Sequence, residues 1–431
     1  MNRHFRETPL DITRLDNGFT VTTERMPEVA TATLGVWVAT GSRHEMPQEH
    51  GLSHFIEHMA FKGTERRSAR QIAEDIENVG GDINAATSVE YTSYTARVLG
   101  DTIDVALDVL GDILTRSVFE PGEMAREKGV ILQEYAAVED TPDDLIYDAF
   151  METAFARQPI GRPILGTPDT IRSFDEATIR SYLGREYTPG KMVLSAAGDV
   201  DHAQVVDLAQ ALFGGLPPAP VREPEAGLYS GGLRRIPRRL EQATLVLGLP
   251  GLSFKDPDYF ATHLFAHILG GGLTSRLWHE VRETRGLAYS IESFHWPFSD
   301  CGLFGIGAGT AGPDVAELMD VTLDCARRAT GDIGEVEVAR AKAQMKVALL
   351  AALETPGGRI ERVSRQILSW GRIIPSSEVV GKIDALTVDE VRAAGRVVLG
   401  GAPTLAAIGP IKGLPSLEAV AAGLGTETLR A

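Results

Sequence analysis

The second half of this sequence repeats the first, and this repetition limits the possible folds more than any other feature. Residues 123–134 align with residues 337–348 at an offset of 214. The apolar segment that ends at Gly198 matches the one that ends at Gly409 at an offset of 211. A histidine pair described below repeats at an offset of 209. Segments in the same order at nearly one offset indicate an internal duplication, so two copies of one fold are expected.

The length and one change of composition divide the chain in the same way. The chain has 431 residues, which is too long for one typical domain. Residues 214–232 contain four prolines and five glycines, a composition typical of a linker. We therefore predict a first domain at residues 1–216, a linker at 217–232 and a homologous second domain at 233–431.

The local patterns predict an α+β fold for each half, a largely antiparallel sheet with helices packed on one face. Asp-Asn-Gly at residues 16–18 indicates a hairpin turn. Two neighbouring strands are predicted after it, one around residues 19–21 and one at residues 30–40. Residues 82–97 are rich in β-branched and aromatic side chains and are predicted as a strand. Helices are predicted near residues 101–115 and 121–139.

Residues 50–64 contain the pattern H-x-x-E-H at His54, Glu57 and His58. On an α-helix these three side chains project from one third of the surface, with the imidazoles one turn apart. The spacing suits two zinc ligands and a carboxylate that accepts a proton from metal-bound water. Two surface histidines beside a solvated glutamate are the alternative, so the pattern needs support from the rest of the chain.

A catalytic zinc needs a third protein ligand, and two glutamates are candidates for it. Glu127 and Glu134 are seven residues apart, so on a helix both carboxylates face the same side, roughly 10 Å apart along the axis. One of them can bind the metal while the other accepts a hydrogen bond from a ligand histidine. Their spacing does not decide which does which.

The second copy lacks the acids. His54 and His58 align with His263 and His267, which we interpret as core or surface residues without a metal. The three glutamates of the first half are replaced by alanines, Ala266, Ala341 and Ala348. The second domain is therefore predicted to be a degenerate, metal-free copy.

The motif together with the two spaced glutamates resembles the pitrilysin (insulysin) family of zinc peptidases. The likeness is strongest to the branch that contains the β subunit of mitochondrial processing peptidase and its short bacterial homologues. The resemblance implies one zinc ion per chain, bound by His54, His58 and Glu134, with Glu57 as general base and Glu127 behind a ligand histidine. Manganese or cobalt in place of zinc remains open.

The resemblance also implies substrate contacts in the first half. Asn84 and Ala85 lie in a predicted strand that could pair with an extended peptide. An ordinary polar edge strand is the alternative. Asp144 and Asp148 follow a proline and are one helical turn apart, where processing peptidases hold a substrate arginine. Complementation of a helix dipole would explain Asp144 but explains Asp148 less well.

In the second half, the resemblance implies that Arg282 and Tyr289 bind the substrate backbone and stabilise the oxyanion. Because short members of the family form dimers around a chamber, these two residues could serve the zinc of their own chain or that of the partner. The expected dimer is a homodimer or a heterodimer with a non-catalytic homologue.

Charge and cysteine content restrict the partners and the compartment. The formal net charge of −17 disfavours binding to nucleic acid or to an anionic membrane and favours basic ligands. The chain has two cysteines, no long apolar run and no apolar segment in its first residues. We expect a cytoplasmic protein of bacterial type, or a protein of the mitochondrial matrix if a transit peptide has been removed.

Together these features predict a zinc-dependent metalloendopeptidase. It would cleave oligopeptides or unfolded basic leader segments inside a dimeric chamber, by attack of zinc-bound water assisted by Glu57. A non-catalytic scaffold subunit of the same fold is one alternative. Against it, this chain keeps all five residues of the motif and its spaced glutamates, His54, Glu57, His58, Glu127 and Glu134. A peptide-binding protein with a structural zinc is the other, although a closed site needs four protein ligands and only three can be named.

Overall fold

The structure is a computed structural model and describes residues 9–425. Its strands are β1 Leu10–Arg14, β2 Thr20–Arg25, β3 Thr31–Val38, β4 Asp82–Thr87, β5 Thr92–Leu99, β6 Met192–Gly198, β7 Gly232–Pro237, β8 Gln242–Gly251, β9 Ala288–Pro297, β10 Gly302–Ala311 and β11 Thr404–Gly409. Its α-helices are α1 Leu52–Ala60, α2 Ala69–Glu77, α3 Ile103–Thr115, α4 Pro121–Asp140, α5 Pro142–Ala154, α6 Pro168–Ser173, α7 Glu176–Glu186, α8 His202–Phe213, α9 Tyr259–Gly270, α10 Val315–Asp332, α11 Glu335–Ala352, α12 Pro356–Trp370, α13 Ser376–Ala385, α14 Val388–Leu399 and α15 Leu417–Leu424. The first eight residues, for which the sequence analysis noted no apolar segment, lie outside the described residues.

The first sheet has six strands in the order β1-β2-β6-β3-β5-β4. Neighbouring strands are antiparallel except β2 and β6, which are parallel. The predicted turn joins β1 to β2, with Gly18 at φ 95°, a conformation that glycine adopts without strain. The prediction that the strands now named β2 and β3 are neighbours is wrong, because β6 lies between them.

The second sheet repeats the first, with five strands in the order β7-β11-β8-β10-β9. Here β7 and β11 form the parallel pair, in the position of β2 and β6. The matching strands β6 and β11 end at Gly198 and Gly409, with φ of 115° and 107°. A Cβ on either glycine would meet a backbone carbonyl oxygen, at 2.1 Å from Thr31 and 2.5 Å from Gln242. The predicted α+β duplication is confirmed.

Each sheet carries helices on both faces. The main core of the first sheet lies on the face that α1 and α3 cover. On the opposite face, Met26, Trp37 and Ala197 pack against Ile360 of α12. The prediction placed helices on one face of each sheet, and the structure adds one helix on the other.

The chain forms two compact units, and each takes one helix from across the linker. Unit 1 contains residues 1–135, 164–225 and 349–376, so it includes α12. Unit 2 contains the remaining residues and includes α5, which packs on β8 and β11. The domain boundaries placed at residues 217–232 stay a prediction.

Among residues 9–425, no helix is both long enough and apolar enough to cross a bilayer.

Candidate metal centre

Helix α1 presents the H-x-x-E-H pattern on its less buried side. Its apolar side chains point into the core of unit 1 and fix the rotation of the helix; they are Leu52, Phe55, Ile56 and Met59. His54, Glu57 and His58 remain partly accessible as a result. The two imidazole rings meet edge to face, with centroids 4.6 Å apart.

Helix α4 brings Glu134 to the two imidazoles. A carboxylate oxygen of Glu134 lies 3.8 Å from His54 Nε2 and 3.7 Å from His58 Nε2. Ligands about 2.0–2.2 Å from a tetrahedral zinc ion lie roughly 3.3–3.6 Å from one another, close to these separations. Within residues 9–425, this is the one group of three or more histidine, cysteine, aspartate or glutamate side chains whose ligand atoms all lie within 4.8 Å of one another. Two nitrogens and one oxygen in this arrangement fit a zinc ion with an open fourth position.

Glu127 lies behind His58 rather than in the cluster. Its carboxylate accepts a hydrogen bond of 3.1 Å from His58 Nδ1, and its other oxygen lies 2.8 Å from Lys62 Nζ. The Glu127 side chain is only 7% exposed, so both contacts are shielded from water. The bond to Nδ1 leaves the Nε2 lone pair of His58 directed at the cluster.

His54 is held in its neutral form. Burial and the nearby His58 lower the pKa of His54 to about 4, and Glu134 opposes both effects. A neutral imidazole is the form that binds a metal ion. Its Nδ1 is buried and has no hydrogen-bond partner among the described residues, so the orientation of this ring depends on packing.

Glu57 lies on the same side of α1, beside the two histidines. Within residues 9–425, no hydrogen bond or ion pair engages its carboxylate. The group is partly accessible from outside. A carboxylate in this position is free to accept a proton from a water molecule at the cluster.

The edge strand β4 carries Asn84 and Ala85 beside α1. It pairs with β5 on one side only and forms an edge of the first sheet. The Ala85 N–H donates to its neighbour's side-chain oxygen, Asn84 Oδ1, at 2.9 Å. This amide is therefore available for an added strand once the side chain turns away.

In unit 2, Arg282 and Tyr289 contact each other. The guanidinium group of Arg282 lies 4.8 Å from the centre of the Tyr289 ring and 4.0 Å from that of Trp278. Tyr289 is the second residue of the edge strand β9 and is 77% exposed. Trp278 and Arg282 belong to a π-helix at Trp278–Thr284. Cation–π stacking on two rings limits the rotamers of the arginine.

Asp144 and Asp148 lie on α5, also in unit 2. Asp144 is exposed in the first turn, whereas Asp148 is partly buried. Burial, together with the nearby carboxylates of Glu152, Asp144 and Glu139, raises the pKa of Asp148 to about 6. This concentration of negative charge is the property expected of a pocket for a cation.

The second histidine pair has different surroundings. His263 is partly buried, and burial lowers its pKa. His267 Nε2 lies 2.9 Å from Gln344 Oε1, an uncharged amide oxygen.

Sequence reasoning missed Lys62. It follows His58 by four residues, one turn further along, and this spacing was a usable signal. Its ion pair with Glu127 connects the end of the motif helix to α4.

Comparisons with known proteins point to one family. The model of the insulinase family, peptidase family M16, matches residues 20–168, and the model of the peptidase M16 inactive domain matches residues 173–345. An uncharacterised zinc protease of Streptomyces coelicolor is 40% identical over 410 residues, which cover 93% of this chain and 89% of that protein. A protein of Arabidopsis thaliana named as a probable mitochondrial-processing peptidase subunit beta is 36% identical over 424 residues, 94% of this chain and 79% of that protein. The crystal structure of a protease from Helicobacter pylori, at 20% identity, matches with a TM-score of 0.86 over 94% of this chain and 100% of that one, which supports the fold.

Proposed function

We propose, on the premise that this chain is a zinc metallopeptidase and belongs to the insulinase family (peptidase family M16), that its metal centre consists of His54, His58 and Glu134 with Glu57 as general base. The observation that carries the proposal is the convergence of the three ligand atoms within 4.8 Å, next to the carboxylate of Glu57, which has no hydrogen bond or ion pair with any residue in the range 9–425. The zinc, when bound, supplies a Lewis acid that lowers the pKa of a coordinated water to about 7 and polarises the scissile carbonyl.

The protein residues move the proton and hold the ligands in place. Glu57 accepts a proton from the attacking water and delivers it to the nitrogen of the leaving amine, so the peptide bond breaks to a carboxylate and an amine. Glu127 holds His58 through Nδ1, and Lys62 compensates the charge of Glu127. His54 stays neutral because it is buried.

The substrate is proposed to bind as an extended peptide. Pairing with β4 at Asn84 and Ala85 would present one peptide bond beside α1. Arg282 and Tyr289 are proposed to bind the substrate backbone and the developing oxyanion; their stacking supports this role because it organises a cationic donor beside a hydroxyl. Asp144 and Asp148 are proposed as the pocket for an arginine side chain.

The proposed substrates are oligopeptides or unfolded basic leader segments, cleaved in a chamber formed by two chains. The similarity to the Arabidopsis protein supports an assembly with a homologous subunit, and a homodimer is the other form proposed. A cytoplasmic location agrees with two cysteines, Cys301 and Cys325, neither of which forms a disulfide in the described part of the chain.

The test is hydrolysis of an arginine-containing peptide with a quenched fluorophore, by wild type and Glu57→Gln at equal zinc content. The variant should lose at least about 100-fold in kcat, because it removes general-base catalysis, and should keep its zinc. Equal turnover in both proteins would contradict the assignment of Glu57. Absence of turnover in both, with zinc bound, would contradict a catalytic homodimer; the assay is then repeated with a co-purified homologous subunit, and continued inactivity would indicate the scaffold subunit.

A further inference from the structure

The start of the motif helix lacks the usual cap. Its N-cap residue, Gly51, has no side chain to accept hydrogen bonds from the free N–H groups of the first turn. Gly51 is at φ 92°, and a Cβ there would lie 2.6 Å from the carbonyl oxygen of Leu165. A serine or aspartate cap is therefore excluded at this residue. The first turn nevertheless carries His54, whose position matters for the metal centre.

Glu45 replaces the missing cap from a distance. One carboxylate oxygen accepts a hydrogen bond of 2.8 Å from Gly51 N–H, and the other accepts one of 2.7 Å from Ser53 N–H. The residue is 3% exposed, so water does not compete for these bonds. An ionised carboxylate at the positive end of a helix is further stabilised by the helix dipole.

Ser53, the residue before the first histidine ligand, is also held by its own side chain. Its hydroxyl lies 2.8 Å from the hydroxyl of the buried Tyr182. Burial raises the pKa of Tyr182, and the charge of Glu45 raises it further, so this phenol remains protonated. The backbone and the side chain of Ser53 are thus both anchored in unit 1, one residue from His54.

The ring of His54 depends on this anchoring more than the ring of His58 does. His58 is oriented by Glu127, whereas the Nδ1 atom of His54 has no hydrogen-bond partner among the described residues. The position of His54 Nε2 is therefore set by packing and by the backbone of the first turn. Glu45 fixes that backbone.

We propose that Glu45 is a positioning residue of the metal centre, which holds the first turn of the motif helix so that His54 meets the zinc. This inference rests on the proposed metal site. It goes further by assigning the affinity for zinc partly to a carboxylate that does not touch the metal. Partners behind metal ligands typically contribute about 10- to 100-fold in metal affinity.

The experiment compares wild type, Glu45→Ala and Glu45→Gln with a control, Asp201→Ala. Asp201 caps α8 in the same unit, where its side chain accepts from Gln204 N–H at 3.0 Å, and α8 carries no motif residue. Zinc affinity is measured by competition with a chromogenic chelator. Hydrogen exchange at the amides of residues 51–54 is measured on the zinc-free proteins.

Glu45→Ala should weaken zinc binding by about tenfold or more and speed exchange in the first turn. Glu45→Gln keeps one acceptor oxygen, so its zinc affinity and its exchange rates should lie between those of wild type and Glu45→Ala. It also serves as the test variant if the alanine protein does not fold. Asp201→Ala should bind zinc within about twofold of wild type.

Wild-type zinc affinity and unchanged exchange in a folded Glu45 variant would overturn the inference, as would an equal loss of affinity in Asp201→Ala. Neither readout uses peptide hydrolysis. A wild-type protein that binds zinc but cleaves nothing would therefore count against the proposed activity and leave this test intact.

Discussion

Substitution of Asp148 by asparagine should stabilise the protein at neutral pH but not in acid. Burial and nearby carboxylates raise the pKa of Asp148 from 3.8 to about 6 in the folded state. Below about pH 4 the carboxyl group is protonated in both the folded and the unfolded chain, so its ionisation does not change the free energy of unfolding. Between pH 4 and 6 the unfolded chain loses this proton first, so the wild type loses stability as the pH rises, and the full penalty is present above pH 6.

The size of the effect follows from the rise in pKa. A rise of about two pH units corresponds to about 3 kcal/mol at 1.36 kcal/mol per unit. Because Asp148 is only partly buried, solvent screening reduces this to about 1.5 kcal/mol. For a unit of this size, the melting temperature of Asp148→Asn should exceed that of wild type by about 3–6 °C at pH 8.

The assay is thermal unfolding of both proteins at pH 4.5 and pH 8, with Asp144→Asn as the control. Asp144 is exposed in the first turn of the same helix, where its charge complements the helix dipole but also repels Asp148, so its replacement should give a smaller gain than the replacement of Asp148. A gain for Asp148→Asn that is equal at both pH values would refute the reasoning, because ionisation would then not be its cause. Identical melting of this variant and wild type at pH 8 would refute it as well.

Further predictions concern the metal centre. Lys62→Met should weaken zinc binding about tenfold in a chelator competition, because the buried Glu127 loses its counter-charge, and Lys62→Arg should retain most of the affinity. Gly51→Ala should lower the free energy of unfolding by about 2–4 kcal/mol in urea titrations, through its positive φ and the contact with Leu165; no loss would contradict the backbone conformation. Free zinc at about 1,000 times its Kd should stabilise the wild type by about 4 kcal/mol, and an equal gain in Glu134→Gln would exclude Glu134 as a ligand.

The part of the site that lies within one helix was predictable from sequence. His54, Glu57 and His58 share a face because the helical period is a local property. The roles of Glu127 and Glu134 were not predictable from their spacing, because a separation of seven residues places both side chains on one side of α4. Their difference depends on where His58 lies between them, which is a matter of tertiary packing.

Non-local features escaped prediction for a related reason. The insertion of β6 between β2 and β3 joins strands that are more than 150 residues apart in sequence, and no local pattern encodes it. Lys62 could have been found from its spacing to His58. Glu45 could not, because its partners are backbone amides whose position depends on the conformation of the intervening loop.

The exchange of α5 and α12 across the linker has a consequence for how such a protein arises and is made. On the ribosome, the face of the first sheet that contains Trp37 stays uncovered until residues 356–370 have been synthesised, although the linker emerged long before. A protein with one repeat would have to borrow the equivalent helix from a second copy. A single-repeat protein of this design could therefore cover both faces of its sheet only as a helix-swapped dimer.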